Sequence, residues 1–300
     1  MIIKLPDINT SKCNELYVGN RMRLATASGC CFISENILVI NHLAGQKIFI
    51  VSFDYQKCTY KSINQIDTTF NNDKCITDLI DGMNKLIATS NFDTKSFSIY
   101  EIDGECISKL KDYQFPELGY CHGIKFYDEN IICFTTVNIN YICFYDILKN
   151  NILFKFDLEI GRPKDVCFVS DNKMIALYTG NNPGKDEYNL INSIVCLLHF
   201  NLNKQEYVIL SEFVVPDSQL DCCVCNNNLV FITVVRESED SVLILSSDNN
   251  TLSYHDELTG FNIPHGVALR NDLLAVTNYG DNTVKIINLN LINSADKYTL

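Results

Sequence analysis

The chain is predicted to be an all-β protein, a six-bladed β-propeller, with a seven-bladed ring as the alternative. The first observation behind this is a tandem repeat. Short apolar runs followed by polar turns begin at Ile37, Leu86, Ile131, Met174, Leu229 and Leu273, roughly 43 to 55 residues apart. A period in that range, with several β-rich runs per unit, is the signature of a four-stranded propeller blade. The second is composition within the units. Tyr141–Asp146 and Thr283–Asn288 are dominated by β-branched and aromatic residues and bounded by Asn, Asp and Gly, as strands are. The third is that no segment repeats apolar residues at helical spacing over three turns, which excludes helical repeats.

Taken in order, Ile2 to Leu5 reads as an extra strand closing the ring against the last unit. Residues 1–23 then form an N-terminal closing segment, and residues 1–300 one domain. The innermost strands should be buried on both sides and read as near-continuous apolar runs, as around Ile131–Phe134 and Leu273–Val276. The turns at Asp128–Asn130, Asp171–Lys173 and Asn271–Asp272 carry residues that bond their own backbone and tolerate left-handed geometry. The fourth unit is longer because of the loop Gly180–Glu187, a candidate lid over a rigid scaffold.

With 47% hydrophobic and 20% charged residues the chain has ample material for a core. No run of about 18 apolar residues is present, so no transmembrane helix is expected, and the start lacks the pattern of a secretory signal. The expected location is cytoplasmic. The 14 cysteines are then read as reduced, with Cys133, Cys143, Cys167 and Cys196 serving as small buried hydrophobes. Cys222, Cys223 and Cys225 are read as core as well, since Cys222 and Cys225 would point to opposite faces of a strand. A net charge of −12 with no dense Lys/Arg cluster argues against nucleic acid and against anionic membranes as partners.

Function enters through the channel mouth. The first strand of each unit lines the axis, and two units open on the same dipeptide, His122-Gly123 and His265-Gly266. Counting back eight to ten residues from each marker gives a ring of Ser28, Thr77, His122, Lys164, Asp221 and His265, in which His122 faces His265. A slip of one residue would substitute Asp78 or Asp165. The same face should receive loops carrying His42, Asn91, Asn138, Arg236, Asn278 and Tyr279 as ligand-contacting residues. His122, His265 and Asp221 are the candidate ligands of one divalent metal, zinc or another first-row ion. His122 or His265 can otherwise act as a general base near neutrality, with Lys164 stabilising negative charge.

The stretch from Ile263 to Ile287, with Ser90–Tyr100 as a weaker copy, resembles a blade of the NHL, YVTN and lactonase-like propellers and of the gluconolactonase, paraoxonase and strictosidine synthase-like group. That resemblance implies a six-bladed ring with a site at the channel mouth, and NHL-type lyases with histidine-bound metal are its precedent. The calcium-type site of the gluconolactonase group opens with a Glu in the first blade; here the segment Ala27–Phe32 has none. Two functions follow. The first is a hydrolase or lyase acting on a small molecule at the mouth, metal-assisted. The alternative is a non-catalytic binding module using the same face for a protein partner.

Overall fold

A computed structural model describes residues 1–6, 16–18, 21–23, 27–179 and 191–292. The Gly180–Glu187 loop, read as a lid, lies outside them. Each four-stranded sheet is an antiparallel meander running outward from the axis. One consists of Ala27–Ser34, Ile37–His42, Lys47–Asp54 and Thr59–Asp67. The second runs Thr77–Met83, Leu86–Asn91, Ser96–Asp103 and Cys106–Gln114. The third runs Cys121–Phe126, Ile131–Thr136, Ile142–Asp146 and Asn151–Phe156. The fourth runs Pro264–Arg270, Leu273–Asn278 and Thr283–Asn288, and is completed by Ile2–Lys4.

The remaining strands correct the expectation of six, or seven, separate blades. Four sheets are four-stranded blades; apart from two short two-stranded ladders, the other described strands join in one seven-stranded sheet from Arg162–Ser170 to Ser253–Thr259. The cause is the 21-residue strand Glu206–Asn226. It pairs with Ile191–Asn201 up to Ser218 and with Leu229–Arg236 from Ser218 onward. The chain passes from one ladder to the next without a break, where each other unit has a turn or loop. The apolar markers at Met174 and Leu229 therefore belong to a single continuous sheet.

The innermost strands Ala27–Ser34, Thr77–Met83, Cys121–Phe126, Arg162–Ser170, the second part of Glu206–Asn226, and Pro264–Arg270 each pack against the next, and the last returns to the first. Burial follows from this arrangement. Cys121–Phe126 is buried throughout, whereas the outer strand Cys106–Gln114 alternates and Thr59–Asp67 is mostly exposed. Apolar side chains fill the wedges between sheets: the rings of Phe97, Phe115, Phe134 and Tyr145 pack together, tilted, edge-on or stacked, with centroids 4.8 to 5.7 Å apart. Each such side chain contributes about 1.5–3 kcal/mol by leaving water.

Closure of the ring is made by Ile2–Lys4, which pairs antiparallel with Thr283–Lys285 and buries Ile3 completely. Leu16–Val18 and Arg21–Arg23 form a separate two-stranded ladder, so among the described residues of 1–23 the closing role belongs to Ile2–Lys4. Cys133, Cys143, Cys167 and Cys196 are buried, and none of the described cysteines is in a disulfide. No helix of the described residues is long and apolar enough to cross a membrane.

Candidate metal centre

Every innermost strand is interrupted near its start by a shift in register against its neighbour. The shifts fall between Ala27 and Cys30, Thr77 and Ile80, Cys121 and Ile124, Pro163 and Val166, Leu220 and Cys223, and Pro264 and Val267. A bulge of this kind re-aims a side chain that a regular strand would place in the sheet. The residues opening these irregular segments are Ser28, Asp78, His122, Lys164, Asp221 and His265. Asp78 thus occupies the place expected for Thr77, whose hydroxyl instead donates to the Asn41 side chain.

His122 and His265 are held in the same way. The Nδ1 of His122 is 2.9 Å from the Lys164 carbonyl, and the Nδ1 of His265 is 3.0 Å from the Ser28 carbonyl. A carbonyl only accepts, so both Nδ1 atoms carry the proton and donate it. Thr135 and Thr277 hydroxyls donate to the same two carbonyls, at 2.8 Å each, and accept the Gly123 and Gly266 amides. The glycines are required here: a Cβ at either position would lie 2.5 Å from the same carbonyl oxygen. The His-Gly dipeptide is therefore a latch between neighbouring sheets as well as a source of imidazoles.

With Nδ1 committed, each ring turns its Nε2 inward, and both meet Asp78. The His122 Nε2 is 3.4 Å from one Asp78 oxygen, and the His265 Nε2 is 3.5 Å from the other. The two rings lie 5.8 Å apart. Tyr279 packs at a tilt against His265 with centroids at 4.2 Å and donates its hydroxyl to Asp78 at 3.3 Å. Burial pushes the His122 imidazole down to about 4, against the opposing pull of Asp78, so it is neutral at physiological pH. Asp78, His122 and His265 are all buried, and one ligand atom from each lies within 4.8 Å of the others.

This cluster can coordinate a metal ion. Two ligands about 2.0–2.2 Å from a common ion, set at the tetrahedral angle, stand about 3.3–3.6 Å apart. The two imidazole–carboxylate distances fall in that interval, each to a different Asp78 oxygen, and one ligand atom from each of the three residues lies within 4.8 Å of the others. Both distances are also longer than the roughly 2.7–2.9 Å of a charge-assisted hydrogen bond. Backbone carbonyls on both Nδ1 atoms supply the outer contacts that fix tautomer and ring orientation in metal sites.

The other expected residues have different employment. Asp221 takes a hydrogen bond from Gln219 at 2.8 Å, lies 3.7 Å from the Lys164 ammonium, and its charge acts on the His122 imidazole. The group of candidate ligands that the structure brings together holds Asp78 beside the two histidines. Ser28 bonds Asn41. His42 Nδ1 accepts the Gly45 amide at 2.8 Å, and the ring packs edge-on against Phe49. Asn91 bonds Ser96 and Ser98, Asn138 accepts the Tyr120 amide, and Asn278 bonds Thr283. Arg236 bonds Glu257 and Ser241. Of the loop residues named from the sequence, Tyr279 alone contacts the cluster among the described residues.

Beside the ring lies a second charged group that sequence reasoning did not assign. The Lys125 ammonium stands 3.5 Å from Asp165 and 3.9 Å from Asp81, and Asp165 accepts the Cys222 thiol and the Cys223 amide. Burial works to lower the Lys125 pKa, but the carboxylates and nearby thiols outweigh it and hold the ammonium well above its ordinary value.

No known protein family matches the chain, and no curated protein matches it in sequence. Similar solved structures exist. Hydrazine synthase of Kuenenia stuttgartiensis aligns over 97% of this chain and 84% of its own, at 14% identity and TM-score 0.64. The β-propeller domain of Myceliophteria thermophila Cps50 (Swd1) aligns over 87% and 83%, at 9% identity and TM-score 0.56. The C-terminal WD40 domain of Sif2 aligns over 88% and 96%, at 9% identity and TM-score 0.52. These likenesses show the fold alone. They correct the resemblance drawn from Ile263 to Ile287: the chain is similar to WD40-type propellers rather than to NHL, YVTN or lactonase-like ones, despite having no Trp. They carry no compartment, and the cytoplasmic placement goes no further than a sequence expectation.

Proposed function

We propose that the chain is a non-catalytic propeller module whose axis is pinned by one divalent ion, zinc or a similar first-row metal, and whose mouth face receives a protein partner. The observation that carries this reading is the donor set. Two imidazoles, each held through Nδ1 by a backbone carbonyl, converge with one carboxylate from three different sheets, and the Tyr279 hydroxyl donates to that carboxylate. Acceptors buried together without a cation are costly. An ion bound there would tie Thr77–Met83, Cys121–Phe126 and Pro264–Arg270 to each other. The near-complete burial of Asp78, His122 and His265, at 5%, 4% and 1% exposure, favours a staple over an open reaction centre. The rim supports binding: Phe92 and Tyr120 stack at 5.2 Å with Lys95 over the Tyr120 ring, and tyrosine is a residue type that anchors interfaces.

A second reading keeps the hydrolase or lyase. Three protein ligands leave a fourth coordination position, as catalytic zinc sites do, and Lys164 stands on the same ring. Thermal unfolding with and without zinc separates the two. The module predicts a rise in midpoint, with saturation near a thousandfold excess over Kd worth about 4 kcal/mol, lost in Asp78→Asn, and no zinc-dependent turnover of esters or lactones. Zinc-dependent turnover abolished by Asp78→Asn would replace the module with the enzyme.

A further inference from the structure

A separate feature lies on the two innermost strands that carry Lys164 and Asp221. Cys167 and Cys225 face each other across these strands with their sulfurs 2.6 Å apart. That is well inside the roughly 3.5–4.0 Å at which nonbonded heavy atoms rest and close to the 2.05 Å of a sulfur–sulfur bond. Cys223 and Cys225, two residues apart on one strand, share a face; Cys223 is buried and Cys225 is half-buried. The geometry points to an oxidation site: Cys167 and Cys225 form a reversible disulfide that fastens Arg162–Ser170 to Glu206–Asn226.

The chemistry is closed with hydrogen peroxide as the oxidant. The Cys225 thiol, the more accessible, ionises and its thiolate attacks one peroxide oxygen; the O–O bond breaks, the sulfenic acid forms, and the leaving hydroxide takes up the released proton as water. Cys167 sulfur then attacks the Cys225 sulfur, the S–O bond breaks and a second water leaves. Two thiols have given up two electrons and two protons in all. Burial pushes the Cys167 thiol up, which assigns it the resolving step rather than the first. The bond would form three residues from Lys164 and four from Asp221 along the chain, so it would fix the spacing of strands that hold part of the ring.

The test uses the full chain treated with stoichiometric peroxide, alkylated in denaturant, digested and mapped by mass spectrometry. The expected result is a Cys167 peptide joined to a Cys225 peptide, two hydrogens lighter than their sum. The thiol count should fall from 14 to 12 and return with dithiothreitol. Cys225→Ser should leave Cys167 fully alkylated. Oxidation confined to the exposed Cys58 and Cys106, a Cys167–Cys223 bond, or no oxidation would each overturn the assignment. The result is independent of metal binding at Asp78.

Discussion

Replacing Gly123 by Ala probes the latch that ties the candidate metal centre to the ring. The added Cβ would lie 2.5 Å from the Lys164 carbonyl oxygen, 2.6 Å from the Asp165 carboxylate and 2.7 Å from the Asp165 Cα. Ordinary contact begins at 3.4 Å, so the carbonyl must retreat by 3.4 − 2.5, or 0.9 Å, and it is backbone that cannot swing away. That movement stretches the bonds from His122 Nδ1 and from Thr135. Overpacking costs about 1–3 kcal/mol and two weakened buried hydrogen bonds about 1 kcal/mol each. Together the expected loss is about 3–5 kcal/mol, read as a shift in guanidinium unfolding of metal-free protein. Zinc affinity should fall about 10–100-fold, the usual effect of disturbing the contacts that orient a ligand. A variant within about 1 kcal/mol of the parent, with unchanged zinc affinity, would refute the latch.

Three further outcomes follow from individual residues. Burial pushes His42 down to about 4 from an ordinary 6.5, so the unfolded chain takes up a proton between those values and the native one does not. The His42 contribution is therefore intact above pH 6.5 and falls by up to about 3 kcal/mol as pH drops toward 4; His122, also depressed to about 4, adds its own fall in metal-free protein, so His42→Asn should lessen the loss in unfolding curves between pH 7 and 4.5 without abolishing it, and an unchanged slope would count against it. Lys125→Met leaves the buried Asp165 carboxylate without its ammonium and should cost about 3–5 kcal/mol, partly recovered when Asp165→Asn is added; equal losses in single and double variants would break the pairing. Ile3→Ala, in the strand that closes the ring, should cost about 2–5 kcal/mol in one cooperative transition, and a loss confined to a separate early transition would show that closure is not coupled to the rest.

Strand character, turn positions and the pairing of the two His-Gly dipeptides were legible in the sequence because each leaves a local mark. The third ligand was not. Asp78 lies eight residues before its marker Leu86, as His265 and Asp221 do before theirs. In all three the strands are joined by a tight turn with a left-handed asparagine, Asn84, Asn271 or Asn227. His122 and Ser28 lie nine before their markers, and counting from them selects Thr77. Turn length was the available signal. Sheet division was hidden for another reason: Glu206–Asn226 passes from outer to inner strand with strand-forming residues throughout, so no break in composition marks the transfer. The WD40-type likeness was equally invisible, since it lies in backbone geometry at 9% identity and the chain lacks Trp.

Crystals of the full chain grown with zinc, measured on both sides of the zinc absorption edge, test the metal centre most directly. The account predicts one strong anomalous peak on the axis, about 2.0–2.2 Å from the His122 Nε2, the His265 Nε2 and an Asp78 oxygen, and its disappearance in Asp78→Asn. Anomalous density only elsewhere, with the three side chains in direct contact and no ion between them, would contradict it.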